Sequence, residues 1–399
     1  MRNFKFQISN FKLSLIACFL FLFLVAGDLG IGADIGKKRV APRTDRVGEG
    51  TIRALAWSPD GGKVAIIYDE GGNPEVYVVK AGENKGVNVS NTKGVEKDLA
   101  WSPDGKALLF SSDVGTGNFD ICSVEEKAGN WEKKCLTHGA ADEFYPVWKH
   151  DGKKIAYCSY EGGRYRVYTM DADGGNAAKF FDAESCYPTW SSDGKKMALV
   201  YNGDILVVDV ASGRKKNITR PLVSGEWADD TISVRMPQKR RSLLQPNLSD
   251  GVDDTMPLWA PKKDRIAFIG RYEANLSQIY TLGSGGKKLK RISENVYEEF
   301  RPDWSPDGKW LVYSAYVTGR NPEIFISKED GSERRRLTVN KAVDMSPVFS
   351  PDGQRILFVR RERGRDNLYI MDVHGNGQKL FFEKGFYPER GEKGAGRKK

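Results

Sequence analysis

Acidic residues recur at a fixed distance before a series of aromatic residues, and this pattern could carry chemistry. The aromatic residues, called anchors below, mostly precede turn sequences such as "WSPDG": Trp57, Trp101, Trp148, Trp190, Trp259, Trp304 and Phe349. An acid stands five residues before five anchors, and six before Trp190: Glu96, Glu143, Asp254, Glu299, Asp344 and Glu184. On one common rim, these acids would attract a cation or a basic peptide segment. Alternatively, each carboxylate accepts backbone N–H bonds and fixes its own loop.

Adjacent acids at two of these positions raise an enzymatic alternative. Asp142 stands beside Glu143, and Glu298 beside Glu299. A hydrolase or lyase acting on glycosides would need two carboxyl groups about 5 to 9.5 Å apart, with one kept neutral by an apolar setting. Neighbouring acids on an exposed loop do not supply that arrangement by themselves. The sequence therefore favours a noncatalytic binding protein over an enzyme.

The remaining polar motifs do not indicate catalysis or a resident cofactor. The three histidines, His138, His150 and His374, fall in turns or at a strand end, and no "GxSxG", "HExxH" or phosphate loop occurs. The segment "MDADGGN" (170–176) reads as a hairpin turn and lacks the further ligands of a calcium loop. We expect no cofactor, although a cation bound in a central channel stays open.

Four cysteines follow the N-terminal segment, and their even number permits disulfides in an exported chain. The strand positions allow one bridge within a repeat, between Cys122 and Cys135, and a second between repeats, from Cys158 to Cys186. Burial as free thiols is the alternative. None of the four has the spacing of a metal site.

The anchors recur at the period of a β-propeller blade. Their spacings are 44, 47, 42, 69, 45 and 45 residues, and a four-stranded blade takes about 40–45. The segments between anchors alternate with period two, which is typical of strands and excludes a helical solenoid. Prolines two residues before five anchors suit an innermost strand with an unpaired edge. The sequence therefore predicts an all-β protein, a single propeller of four-stranded blades.

The spacing of 69 residues decides the blade count. It contains "GEWADDTISVRM", in which Trp227 and Asp230 repeat the offset of an anchor and its turn. This pattern favours a degenerate eighth blade. The alternative is a seven-bladed ring with an insertion near 220–247.

The repeated "WSPDG" and "FSPDG" motifs, with "LYIMDVHGNGQKL" after the last anchor, resemble those of the TolB-type β-propeller family. The resemblance covers residues from about 50 to 385. It implies a scaffold that docks a protein or peptide partner of the cell envelope. TolB has a separate N-terminal domain, whereas we expect a standalone propeller here. Prolyl-peptidase relatives carry a hydrolase domain beside the propeller, which this chain does not show.

The N-terminus predicts export. Residues 1–27 combine three basic residues with an apolar core from Leu13 to Ala26, as in a signal peptide. Their removal leaves a net charge of +6, mixed along the chain, so we expect no nucleic-acid partner and no membrane span in the mature protein. The expected order is signal peptide 1–27, linker 28–48, propeller 49–385 and basic flexible tail 386–399. We expect a periplasmic or secreted monomer.

Overall fold

The structure, a computed structural model, describes residues 50–83, 85–113, 117–219, 255–271, 276–292, 299–317, 321–382 and 387–388. The predicted signal peptide, the linker as far as residue 48, and Asp254 lie outside these residues, as does the predicted tail apart from residues 387–388. No helix in the described ranges is long and apolar enough to cross a membrane. The secondary structure consists of 29 strands.

Each blade is a four-stranded antiparallel sheet built from consecutive strands, called a to d in chain order from the channel outward. Blades 1 to 4 comprise β1 to β16: β1 Thr51–Trp57, β2 Lys63–Asp69, β3 Pro74–Lys80, β4 Lys85–Asn88; β5 Glu96–Trp101, β6 Ala107–Ser112, β7 Asp120–Lys127, β8 Asn130–Cys135; β9 Asp142–Trp148, β10 Lys154–Glu161, β11 Arg164–Asp171, β12 Ala178–Lys179; β13 Ser185–Trp190, β14 Lys196–Tyr201, β15 Asp204–Asp209, β16 Lys215–Asn217.

Blades 5 to 7 repeat this order, and a last short strand follows them: β17 Thr255–Trp259, β18 Ile266–Gly270, β19 Gln278–Leu282, β20 Lys290–Arg291; β21 Glu299–Trp304, β22 Trp310–Tyr316, β23 Pro322–Lys328, β24 Arg335–Arg336; β25 Val343–Phe349, β26 Arg355–Glu362, β27 Arg365–Asp372, β28 Lys379–Leu380; β29 Tyr387–Pro388.

The ring has seven blades, so the prediction of an eighth was wrong and the alternative of an insertion holds. Blades 4 and 5 pack directly on each other, because Val200 and Val207 share one buried cluster with Trp259 and Phe268. The amide of Trp259 also donates to Thr189 Oγ1 across this boundary (3.5 Å). The pattern around Trp227 therefore did not indicate a blade, since the ring has no place for one between these two.

The first and last blades close the ring. The amide of Ile52 donates to Asp366 Oδ2 (2.9 Å), and the Trp57 ring packs edge-on against Phe381 (5.6 Å). Buried residues of both blades form one apolar cluster. Strand β29 pairs in parallel with β4 on the outer edge of blade 1. Two residues of the predicted flexible tail thus belong to a sheet.

The anchors join neighbouring blades. The indole N–H groups of Trp101, Trp148 and Trp304 donate to a carbonyl of the preceding blade, at Ala56, Ala100 and Leu258 (3.1, 3.1 and 3.0 Å). Each accepting residue stands directly before its own blade's anchor. A tryptophan at this position therefore supplies both apolar area and a bond between blades.

The turn after five of the seven anchors is held by a serine and an aspartate. In blade 6, Ser305 Oγ donates to Asp307 Oδ1 (2.6 Å) and accepts the amide of Trp310 (2.9 Å). Gly308 has a φ of 69°, in the left-handed region that glycine adopts without a steric cost. The motif thus forms the tight turn that connects strand a to strand b.

Candidate functional site

One backbone position repeats around the central channel. The first strand of each blade is innermost, since at six of the seven boundaries between blades it contacts the first strand of the neighbouring blade. Three residues before the anchor, six of these strands adopt a positive φ of 53–55° beside a break in the strand register. Such a φ is uncommon outside glycine. The residues at this position are Asp98, Tyr145, Tyr187, Met256, Arg301 and Ser346.

On blades 3 and 4, this position carries tyrosines. The rings of Tyr145 and Tyr187 lie 4.5 Å apart, and their hydroxyls are 3.5 Å apart. A second pair, Tyr160 and Tyr165, stands at the end of the β10–β11 hairpin with rings 4.7 Å apart. Tyr145, Tyr160, Tyr165 and Tyr187 are called the tyrosine cluster below. Burial, together with the nearby Tyr187 hydroxyl, raises the pKa of Tyr165, so the two pairs are neighbours.

A lysine and two phenylalanines flank the tyrosine cluster. The Lys97 ammonium lies 4.4 Å from the Phe119 ring centre and 5.5 Å from that of Phe144. The two rings are 5.0 Å apart, and Phe144 lies 6.2 Å from Tyr145. Burial lowers the pKa of Lys97. This side of the channel mouth, the end at which the d–a connections meet the b–c turns, is thus lined by aromatic rings.

Asp98 supplies a carboxylate beside these rings. Its Oδ2 accepts hydrogen bonds from Ser111 Oγ (2.9 Å) and from the amide of Tyr145 on the next blade (3.0 Å). Burial raises the pKa of Asp98 despite these bonds and the charge of Lys97. The carboxylate in turn contributes to raising the pKa of Tyr145 and Tyr187. Asp98 and the tyrosine cluster are therefore electrostatically coupled.

The opposite side of the channel mouth carries arginines. Arg301 Nη1 donates to Ser346 Oγ (2.9 Å) and to the carbonyl of Arg53 (3.1 Å). Arg301 belongs to blade 6 and Arg53 to blade 1, so its side chain reaches past blade 7 on the channel side. Arg53 forms an ion pair with Asp69 (2.5 Å). On this side, the charged groups are bonded to one another.

Three further ion pairs lie at the same end of blades 6 and 7. Arg360 binds Asp344 with two bonds (2.6 and 2.8 Å). Arg361 binds Asp366, whose Oδ2 also accepts the ring-closing amide of Ile52. The third pair joins Arg336 to the buried Glu323 (2.9 Å). These pairs fix strands within blades 6 and 7, and Asp366 also links blade 7 to blade 1 at the ring closure.

The predicted rim acids of blades 2 and 3 are buried within their own blades. Glu96 Oε1 accepts bonds from Thr92 Oγ1 (2.5 Å) and Ser112 Oγ (2.9 Å). Glu143 accepts bonds from Ser159 and Thr137 (3.2 and 3.3 Å). Burial raises the pKa of each to about 7. Both carboxylates thus tie the d–a connection to strand b.

The other rim acids differ in setting. Glu299 is fully buried and accepts the amide of Ile279 (3.4 Å), and Asp344 is held by Arg360. Glu184 precedes β13 and is half-buried. Asp254 lies outside the described residues. The structure does not bring the described acids together in one exposed cluster. Binding of a cation or a basic peptide by these acids stays a prediction.

The adjacent acids Asp142 and Glu143 have different partners. Asp142 Oδ1 accepts the amide of Phe119 (2.9 Å), whereas Glu143 bonds to the hydroxyls of Ser159 and Thr137. Successive residues of a strand point to opposite faces, so the two carboxylates diverge. Among the described residues, no group of three or more histidine, cysteine, aspartate or glutamate side chains could hold a metal ion.

The four cysteines form two disulfides. Cys122–Cys135 joins directly paired residues of β7 and β8 within blade 2. Cys158–Cys186 joins β10 of blade 3 to β13 of blade 4. The amide of Tyr187 donates to Cys158 Sγ (3.0 Å). The second bridge therefore lies directly beside the tyrosine cluster.

Comparison with known proteins supports the propeller fold. Residues 249–392 match the TolB beta propeller domain family. Blades 5 to 7, which these residues span, are similar to a TolB-type β-propeller. The Tol-Pal system protein TolB of Bordetella pertussis is 28% identical over 126 residues, which are 32% of this chain and 28% of that protein. This chain thus matches well under half of that relative's length.

Solved structures share the propeller fold at low identity. A puromycin-hydrolyzing peptidase of Mycobacterium tuberculosis is 13% identical with a TM-score of 0.61, over 82% of this chain and 52% of that one. An oligogalacturonate lyase in complex with manganese is 14% identical with a TM-score of 0.53, over 83% and 85%. These likenesses show the fold and no more.

Sequence reasoning missed the left-handed position of this propeller. Its residues stand at a constant offset before the anchors, and in five blades a proline follows them: Pro146, Pro188, Pro257, Pro302 and Pro347. That offset was visible in the sequence. The positive φ, which sets the direction of these side chains, was not, because tyrosine, arginine and methionine rarely adopt it.

Proposed function

We propose that this propeller is a noncatalytic scaffold of the cell envelope that binds a protein or peptide partner at its channel mouth. The matched relatives are Tol-Pal system proteins, whose name places them in an assembly with other proteins. The predicted signal peptide directs the chain to the periplasm or beyond. We expect the propeller itself to be a monomer.

The aromatic side of the channel mouth carries this proposal. Aromatic residues are enriched in protein interfaces because they bury a large area at a small entropic cost. Tyr160 is 39% exposed, and the nearby channel residue Met256 is 45% exposed. Val339, in the connection between blades 6 and 7 at this same end, is more exposed still. Few large apolar side chains of the described residues reach such an exposure.

Site-directed photo-crosslinking tests the proposal. A photoreactive phenylalanine analogue replaces Tyr160 in the full chain, expressed in its native host. The matched control places it at Val87, which is 45% exposed but lies on the outer edge of blade 1. We expect a discrete envelope-protein adduct from position 160 and none from position 87.

Competition makes the test specific. Excess purified wild-type propeller should suppress the adduct, and a variant with Tyr165→Ser and Phe144→Ser should suppress it less. Adducts of equal yield at both positions, or none at position 160, would contradict binding at the channel mouth. Turnover of a substrate lost on changing Asp142 or Glu143 would contradict the noncatalytic assignment.

A further inference from the structure

The tyrosine cluster has the composition of a cation-binding site. A cation over the face of a tyrosine ring is attracted by the negative potential of that face. Three strands of blade 3 and one of blade 4 contribute the four rings: β9, β10, β11 and β13. Tyr145, Tyr165 and Tyr187 are half-buried, and Tyr160 is exposed. The rings can therefore be reached from the solvent while excluding part of the water.

Asp98 gives the cluster a carboxylate with unused bonding capacity. Both of its hydrogen bonds end on Oδ2, and Oδ1 accepts none from any described residue. An ionised carboxylate accepts on both oxygens and can bind a guanidinium with two parallel bonds. The positive charges of Lys97 and Arg53 lie nearby, as do the acids Asp113 and Asp142. The acids in this group outnumber the bases.

The protein itself places an ammonium among neighbouring rings. Lys97 stands over Phe119 and Phe144, within the same aromatic surface. This contact shows that the channel mouth accommodates a cation over its rings. The tyrosine cluster has no such contact with a described lysine or arginine of the chain. The Asp98 carboxylate lies beside this cluster, because its Oδ2 accepts the amide of Tyr145 (3.0 Å).

We propose that the tyrosine cluster and Asp98 bind a lysine or arginine side chain presented by the peptide partner. This assignment rests on the proposed function and gives its partner a chemistry. The rings contact the alkyl chain and the charged end, and Asp98 Oδ1 accepts from the ammonium or guanidinium. Selectivity for a cationic side chain follows from both contacts.

A pair of matched peptides tests the inference. Acetyl-Ala-Arg-Ala-amide and the corresponding citrulline peptide differ in charge but have nearly the same shape. Titration of the full chain, labelled with ¹³C in its tyrosine rings, gives the affinity of each peptide and the rings that respond. We expect the arginine peptide to bind about tenfold more tightly and to shift the signals of the tyrosine cluster.

Two aspartate variants separate binding from folding. Asp98→Asn keeps an acceptor for the amide of Tyr145, and asparagine tolerates a positive φ. The matched control is Asp303→Asn, because Asp303 likewise accepts an amide of the next blade, that of Phe349 (2.8 Å). The preference for arginine over citrulline should disappear in Asp98→Asn and persist in Asp303→Asn.

Ring variants keep the inference testable if Asp98→Asn does not fold. Tyr165→Phe retains the ring face and should keep the preference, whereas Tyr165→Leu should reduce it. Equal affinities of wild type for both peptides, or loss of the preference in Asp303→Asn alone, would overturn the inference. An adduct at position 160 combined with equal peptide affinities would leave the proposed function standing and reject only the cationic side chain.

Discussion

The two sides of the channel mouth use the same backbone for different purposes. Tyr187 of blade 4 and Arg301 of blade 6 occupy equivalent positions, each with a φ of 53°. Tyr187 packs against another tyrosine, whereas Arg301 bonds to blades 7 and 1. On the arginine side, Arg301 links blade 6 to blades 7 and 1, and ion pairs join strands within blades 1, 6 and 7. The tyrosine side leaves ring faces and a carboxylate oxygen available.

This difference separates a structural role from a binding role within one repeat. The repeat fixes the backbone position and conformation at the left-handed position. The type of residue there then decides what the side chain can contact. Ion pairs buried within a blade stabilise it only while both partners are present. Exposed rings contribute less to folding and more to association. Variants on the two sides should therefore differ in what they change.

The largest effect is expected on the arginine side. Asp344→Ala leaves the Arg360 guanidinium without its buried partner, and removal of one member of such a pair costs about 3–5 kcal/mol. Urea unfolding of the full chain measures this loss. The double variant Asp344→Leu/Arg360→Met should be more stable than Asp344→Ala, because no uncompensated charge remains. If the single change cost no more than the double one, the pair would not hold blade 7.

Removal of a disulfide should have the next largest effect on stability. Only removal of Cys158–Cys186 should also affect the tyrosine cluster. Cys158 and Cys186 are 28 residues apart, and Cys122 and Cys135 are 13 apart. From loop length, replacing each pair with alanine should cost about 3–4 and about 3 kcal/mol respectively. Only Cys158→Ala/Cys186→Ala should also weaken binding of the arginine peptide, because Tyr187 donates to Cys158 Sγ. Equal binding by both variants would separate the bridge from the site.

A pH dependence is expected from the buried acids of blades 2 and 3. Burial raises the pKa of Glu96 to about 7, above its value in the unfolded chain. The protonated form therefore favours folding, and this stability is present at pH 4.5 and lost as the pH rises through 7. The difference should be on the order of 1–3 kcal/mol. Glu96→Gln keeps the bonds from Thr92 and Ser112 to an oxygen and should flatten this part of the profile.

Unfolding measured at intervals between pH 4.5 and 8 checks this expectation. The profile of wild type minus Glu96→Gln isolates the one carboxyl from all others that titrate. A difference that grows more favourable to wild type with rising pH would show that Glu96 folds in its ionised form. Its burial would then be compensated in a way that the bonds from Thr92 and Ser112 do not explain.

The sequence predicted the propeller because its evidence is local and repeated. An anchor, a serine–aspartate turn and alternating strands recur in nearly every blade, so each copy supports the others. The blade count failed where one copy was weak: Trp227 and Asp230 match an anchor and its turn in spacing alone. Whether blades 4 and 5 touch depends on contacts between Val200 and Trp259, which are distant in sequence.

The candidate site was harder to predict than the fold. The sequence predicts Glu96 and Glu143 on a common rim, but the direction of their side chains depends on hydroxyl groups of Thr92, Ser112 and Ser159. The tyrosine cluster combines residues from four strands. Two of its rings point into the channel only because of a positive φ, which no residue preference indicates.

The smallest effect on stability, and a large one on binding, is expected from Tyr160→Ser. The ring is 39% exposed and contacts Tyr165 across the β10–β11 pair, a contact worth about 0.2–1 kcal/mol. Unfolding should therefore change little, while the affinity for the arginine peptide falls severalfold. Val87→Ser, at a similar exposure on blade 1, should change neither. If Tyr160→Ser destabilised the chain as much as Asp344→Ala, both sides of the channel mouth would have a structural role. A ring that is free to bind a partner cannot also contribute that much to the free energy of unfolding.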